Sequence, residues 1–159
     1  MVGQLMLAVS LAVLLGHVVD VSVAAQIKDS NLELPEYYKR PAKILHNICL
    51  AESGAMESKL KQCMDGVLHD DREVKCYIHC LFDKVDVIDE ATGQILLDRL
   101  APLAPDNDVK DVFNHLTREC GHIKLQDSCD TAYEVAKCYF AAHDQVVKFC
   151  HLLMADVTG

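Results

Sequence analysis

Lys75-Cys76-Tyr77-Ile78-His79-Cys80-Leu81-Phe82 is the stretch on which the fold turns. Two cysteines four residues apart lie about 40° apart around a helix axis, so one face presents both. Val74, Tyr77, Ile78, Leu81 and Val85 recur around them at helical spacing, and Asp71 stands where an N-cap is expected. One amphipathic helix can therefore be stapled to two neighbours. The competing chemistry is zinc, because Cys76, His79 and Cys80 bring metal-ligand types together. No paired Cys-x-x-Cys knuckles accompany them, so the reading assigns no metal and no cofactor.

The compartment decides how the cysteines are used. Leu5 to Leu15 form an apolar run broken only by Ser10, and Val23-Ala24-Ala25 offers small residues before Gln26. This pattern predicts a signal peptide over residues 1–25 and a single domain over 26–159. Gly16, His17 and Asp20 interrupt the run before it reaches the roughly 20 apolar residues of a membrane span. No second apolar segment follows, so a secreted, extracellular protein without membrane insertion is expected. All eight cysteines (Cys49, Cys63, Cys76, Cys80, Cys120, Cys129, Cys138 and Cys150) lie beyond the leader. An even number in an oxidising compartment implies a disulfide framework, whose connectivity spacing alone leaves open.

The rest of the chain reads as helix. Ile44, Leu45, Ile48 and Cys49 make an apolar stripe that ends before Ser53-Gly54, with Pro35 able to start the helix and Pro41 expected to break or bend it. Leu60, Cys63, Met64 and Val67 suggest a short second helix closing near Gly66. Asp89 to Gly93 is a turn, and Leu96, Leu97 and Leu100 form a short helix ended by Pro102 and Pro105. Val109, Val112, Phe113 and Leu116 follow at i, i+3, i+4 and i+7, capped by Asp106 or Asn107. Asp127 or Ser128 opens a helix with Tyr133, Ala136 and Phe140 on one face, and the tail from Asp144 to Met154 is again amphipathic. Cys129 and Cys138 lie nine residues, or about 2.5 turns, apart and so face opposite ways. The fold class is all-α.

Composition narrows the function. The 159 residues are 51% hydrophobic and 25% charged, which suits a packed globule. With 15 Lys+Arg against 24 Asp+Glu the net charge is −9, and no basic stripe exists for a nucleic-acid backbone. A calcium loop with Gly93 at its sixth position would place Ile88 and Arg99 at its first and twelfth, where carboxylates are needed. A secreted phospholipase needs a His-Asp pair beside its cysteines, whereas His79 precedes Cys80; no Gly-x-Ser-x-Gly elbow occurs either. No enzyme activity is expected.

The intervals Cys49-(26)-Cys76-(3)-Cys80-(39)-Cys120-(8)-Cys129-(8)-Cys138 resemble the six-cysteine signature of the insect pheromone- and general odorant-binding proteins. The C-x3-C and final C-x8-C are its most diagnostic spacings. Leu45-His46-Asn47-Ile48-Cys49, Lys75 to Phe82 and Val87-Ile88-Asp89 look like the matching stretches of antennal members, and the likeness covers about 45 to 140. The resemblance implies a compact six- to seven-helix domain, stapled by disulfides around an apolar cavity and without catalysis. It also implies the pairs Cys49–Cys80, Cys76–Cys129 and Cys120–Cys138. Cys63 and Cys150 lie outside that pattern. They can form a fourth bridge that pins the tail, remain free thiols, or join two chains. The tail runs past Cys138 further than in members whose short tail closes the cavity, so its role stays open.

The function implied is a secreted carrier of small hydrophobic molecules such as odorants or pheromones, delivering them to a membrane odorant receptor. The alternative is a disulfide-stapled binder of a lipid, hormone or toxin outside olfaction. Oligomeric state is not legible. Leu96, Leu100, Leu103, Phe113, Leu116, Tyr133, Ala136 and Phe140 are the expected ligand-binding residues, each equally able to be ordinary core. Tyr77, Tyr133 and Tyr139 can supply polar groups that orient a ligand. Seven histidines follow the leader, and His46, which matches a family position near the ligand or tail, is the expected pH switch.

Overall fold

The computed structural model describes residues 34–154, so the expected leader lies outside the described residues. Regular structure there consists of six α-helices, four 3₁₀ segments and one isolated antiparallel bridge between Ile88 and Ile95. None of the described helices is long and apolar enough to cross a membrane.

Helix α1 (Lys39–Ser53) continues directly from a 3₁₀ turn at Glu36–Tyr38. Pro41 does not break it. It is the third residue of the helix, inside the first turn, where a backbone N–H has no partner within the helix. Gly54 then ends α1 in the left-handed region at φ 70°, a conformation that costs glycine little. The stripe that turns inward is Ala42, His46 and Cys49, whereas Ile44 and Ile48 are 53% and 42% exposed. The Cys49–Cys80 bridge selects this stripe over its neighbour, because the cysteine must face the helix that carries Cys80.

Helix α2 (Glu57–Leu60) tightens into a 3₁₀ segment at Lys61–Asp65. Helix α3 (Arg72–Lys84) carries the central Cys-x-x-x-Cys stretch. Asp71 precedes α3, yet its side chain does not cap the helix; the carboxylate instead takes the Lys59 ammonium at 2.7 Å. The segment Leu97–Leu103 is a 3₁₀ helix that includes Pro102 rather than stopping before it. Pro102 sits on the exposed side, where one missing N–H is inexpensive.

Helices α4 (Asn107–Cys120) and α5 (Ser128–Ala142) both begin with acidic caps. The Asp106 carboxylate accepts from the Val109 N–H at 2.9 Å, and Asp127 accepts from the Asp130 N–H at 3.0 Å. Asp127 also takes Arg72 at 2.6 Å, and that guanidinium with the Asp130 N–H holds its carboxyl down at about 2. A 3₁₀ turn at Asp144–Val146 leads into α6 (Val147–Met154).

Helix α3 packs against both α1 and α5, while α6 lies across α1 and the Lys61–Asp65 segment. Four disulfides fix this arrangement: Cys49–Cys80, Cys76–Cys129, Cys120–Cys138 and Cys63–Cys150. Helix α3 is thus stapled to two neighbours, as its cysteine spacing allows. Helix α5 is held from opposite sides, by Cys129 to α3 and by Cys138 to α4. The two cysteines outside the six-cysteine pattern pair with each other inside the chain.

Candidate functional site: an apolar cavity closed by the last helix

The helices surround a cavity of about 700 Å³. Helix α3 turns Tyr77, Ile78, Leu81 and Phe82 toward it, α4 adds Val109 and Phe113, and α5 adds Ala136 and Phe140. Each set repeats at i, i+3 or i+4, so the wall is made by one stripe of each helix. The last helix closes the far side with Phe149, Leu152, Leu153 and Met154. Phe149 stacks on Phe113 with ring centroids 6.2 Å apart. Cys63 and Cys150 are themselves wall residues, so the fourth bridge holds α6 in place at the cavity.

Of the residues singled out in the sequence, Tyr77, Leu100, Leu103, Phe113, Ala136 and Phe140 come together on this wall. Leu103, 66% exposed, stands at the mouth, where the Tyr38 hydroxyl donates to its carbonyl. Leu96, Leu116 and Tyr133 lie off the wall. The Leu96 N–H is bound to the Val87 carbonyl in the turn beside the Ile88–Ile95 bridge. Leu116 is fully buried in the packed core, one turn beyond Phe113. Tyr133 donates its hydroxyl to the Leu68 carbonyl at 3.1 Å and holds its ring under the Lys75 and Lys137 ammoniums. Tyr139 is buried edge-on against Phe82, off the wall, and its hydroxyl has no hydrogen-bond partner.

His46 stands behind Tyr77 rather than on the wall. Only 1% exposed, it places Nδ1 at 2.8 Å from the Tyr77 hydroxyl. Burial lowers its pKa below the usual value, and Lys43 adds to the effect. Glu57 opposes the shift and Lys61 reinforces it, so the charged groups around the ring are two ammoniums and one carboxylate. Burial raises the pKa of the Tyr77 phenol, with a further push from Glu57.

Two features escaped the sequence reading. His143 is fully buried at the junction of α5 and α6, where its Nδ1 accepts from the Gln145 N–H at 3.2 Å. The wall role of α6 was signalled only as amphipathicity of the tail, through Val146, Cys150 and Leu153. Of the charged residues at the cavity edge, Lys59 holds Asp71 at 2.7 Å and Lys84 holds Glu52 at 3.2 Å, while Asp86 is exposed.

The model of the PBP/GOBP family matches residues 32–142, which contain five of the six described α-helices and the six-cysteine pattern. The chain belongs to the PBP/GOBP family. Among curated relatives, general odorant-binding protein 69a of Drosophila melanogaster is 34% identical over 100 residues, covering 62% of this chain and 66% of that one. Odorant-binding protein 10 of Aedes aegypti is 30% identical over 93 residues, covering 57% and 65%. The matched part thus spans just under two thirds of those two relatives. A solved structure of odorant-binding protein 7 from Anopheles gambiae, with four disulfide bridges and in complex with an azo compound, superposes with a TM-score of 0.74 at 62% identity. It covers 78% of this chain and all of that one. The family is one of odorant-binding carriers, and this chain shares with the Anopheles protein the count of four bridges.

Proposed function

We propose that the protein is a secreted carrier, whose cavity takes up a small hydrophobic molecule of the odorant or pheromone kind and delivers it to a membrane receptor. No catalytic role is assigned to any residue. The observation that carries this reading is a cavity of about 700 Å³ walled almost wholly by apolar side chains. That volume lies in the range of drug-sized ligand sites. Binding then comes from ligand surface removed from water, at about 25 cal/mol per Å², and a micromolar Kd corresponds to about −8 kcal/mol. Export follows from the leader expected over residues 1–25.

The direct experiment expresses the whole chain in insect cells, collects it from the medium and extracts it with solvent. The expected result is a polypeptide beginning at Gln26 that releases a neutral, largely apolar molecule in near-equal amount. Retention inside the cell, or a receptor-free protein that binds a polypeptide partner instead, would favour a role outside carriage.

Binding should weaken as the medium is acidified. The cavity's closed form keeps His46 neutral, buried against Tyr77, with its pKa below 6.5. An open form exposes the ring and takes up a proton near its ordinary value of about 6.5. The closed form therefore has its full advantage above about pH 6.5 and loses it as the pH falls toward the lowered value. Lys43, Lys61, Glu57 and Tyr77 face the ring, and one carboxylate does not offset two ammoniums. The Cys63–Cys150 bridge limits how far α6 can open. The expected loss between pH 7.5 and 5 is about tenfold, or 1.4 kcal/mol. The His46→Gln variant should flatten the profile, and a flat profile in the native chain would reject the switch.

A further inference from the structure

Two residues of the cavity wall, Tyr38 and Tyr77, carry neutral hydroxyls, and both have already committed their protons. Tyr38 donates to the Leu103 carbonyl, a direction fixed because a carbonyl oxygen only accepts. Tyr77 places its hydroxyl 2.8 Å from His46 Nδ1. Of these two neutral groups the phenol is much the stronger acid and the imidazole nitrogen the better base, so the phenol donates and Nδ1 accepts. What Tyr77 retains is its oxygen lone pairs, whereas the Tyr38 hydroxyl is also engaged with Tyr37.

The remaining polar residues of the lining stand at the cavity edge, where Lys59 and Lys84 keep charged N–H donors and no neutral one. Lys59 Nζ is held by Asp71 at 2.7 Å, Lys84 Nζ by Glu52 at 3.2 Å, and His69 Nε2 meets Gln62 Oε1 at 2.9 Å. Asp86, on the same wall, brings a carboxylate, which accepts only. We infer that the cavity selects its ligands by hydrogen-bond polarity, accepting from hydroxyl-bearing apolar molecules such as long-chain alcohols and phenols, and offering no free neutral donor to aldehydes, ketones, esters or ethers. The inference rests on the carrier reading. Tyr77 is the contact residue in it, and His46 is a positioning residue that holds the Tyr77 proton away from the ligand. Size selects among apolar molecules in any such cavity; the Tyr38, Tyr77 and His46 arrangement adds a sign.

The test compares decan-1-ol, decanal and methyl nonyl ether as competitors of an apolar fluorescent reporter near pH 7. They are used against the native chain, Tyr77→Phe and His46→Leu. In the native chain the alcohol should bind roughly threefold to tenfold more tightly than the other two, the range of one neutral hydrogen bond. This ordering runs against hydration, because the alcohol is the most costly of the three to remove from water. Tyr77→Phe, which keeps the ring and removes the acceptor, should abolish the gap. His46→Leu frees the Tyr77 proton, so decanal should gain on decan-1-ol. Equal or reversed affinities in the native chain would overturn the inference, as would a gap that survives in Tyr77→Phe, while leaving the carrier reading standing. If the reporter binds nowhere in the native chain and none of the three shows any binding by calorimetry, both fall together.

Discussion

Serine in place of both Cys63 and Cys150 should leave a folded helical protein that releases its ligand at least tenfold faster. The bridge joins residues 87 apart in sequence, with Cα atoms 5.8 Å apart, and ties α6 to the segment after α2. A loop near 100 residues carries about 4.7 kcal/mol in the chain-entropy account. Three other bridges still constrain the unfolded chain in the variant, so about 2–3 kcal/mol is the expected loss of stability. Helices α1, α3, α4 and α5 keep their own staples and should stay folded. The loss falls instead on α6, which supplies Phe149, Leu152, Leu153 and Met154 to the wall and is held otherwise by packing on α1, on the Lys61–Asp65 segment and, through Phe149, on Phe113. Circular dichroism should show native helicity with a lowered melting temperature, and stopped-flow release of an apolar reporter gives the exchange rate. An unchanged release rate would mean that packing alone holds α6, and that the bridge has no part in retaining ligand.

Ionising the ligand should have a comparable or larger effect. For a compact skeleton that fits wholly inside the cavity, an ammonium or carboxylate in place of a neutral group should lower affinity by at least a hundredfold. An unpaired ion is costly to bury, and the interior wall made by Ile78, Leu81, Phe113, Ala136 and Phe149 offers it no partner. The charged residues at the edge do not serve a group held inside, since Lys59 and Lys84 already hold Asp71 and Glu52, and Asp86 is solvent-exposed. The comparison requires ligands short enough that the charged group cannot remain at the mouth beside Leu103, where water still reaches it. Isothermal titration of a matched alcohol, amine and carboxylate measures the difference. Equal affinities for all three would require a charge partner inside the cavity and contradict the apolar wall.

The stapling of α3 to two helices was legible in the sequence because it depends on local geometry alone: four residues on a helix put Cys76 and Cys80 on one face. The caps at Asp106 and Asp127 were legible for the same reason, as both act within one turn. Asp71 was not, because a lysine from α2 competes for its carboxylate, and that contact is tertiary. The wall residues divide along the same line. Phe113 and Leu116 occupy one stripe of α4, and periodicity cannot tell which end of a stripe faces a cavity and which is sealed in the core. Likewise Ile44 and Ile48 form as good an apolar pair as Ala42 and Cys49; the direction of one disulfide decides between them. His46 was singled out by the family resemblance, yet its position behind Tyr77 became visible only once α1 lay against α3. His143 gave no signal, and Tyr139, read as a polar group that orients a ligand, is instead buried against Phe82 off the wall.

Equilibrium titration of the mature chain with an apolar fluorescent reporter, followed by displacement with a neutral C10 alcohol, tests the central claim most directly. A cavity of about 700 Å³ with this wall should give saturable, one-to-one reporter binding with blue-shifted emission. Displacement should be complete, with a Kd on the micromolar scale, about −8 kcal/mol. Reporter binding that never saturates, or that no neutral ligand displaces, would contradict the account.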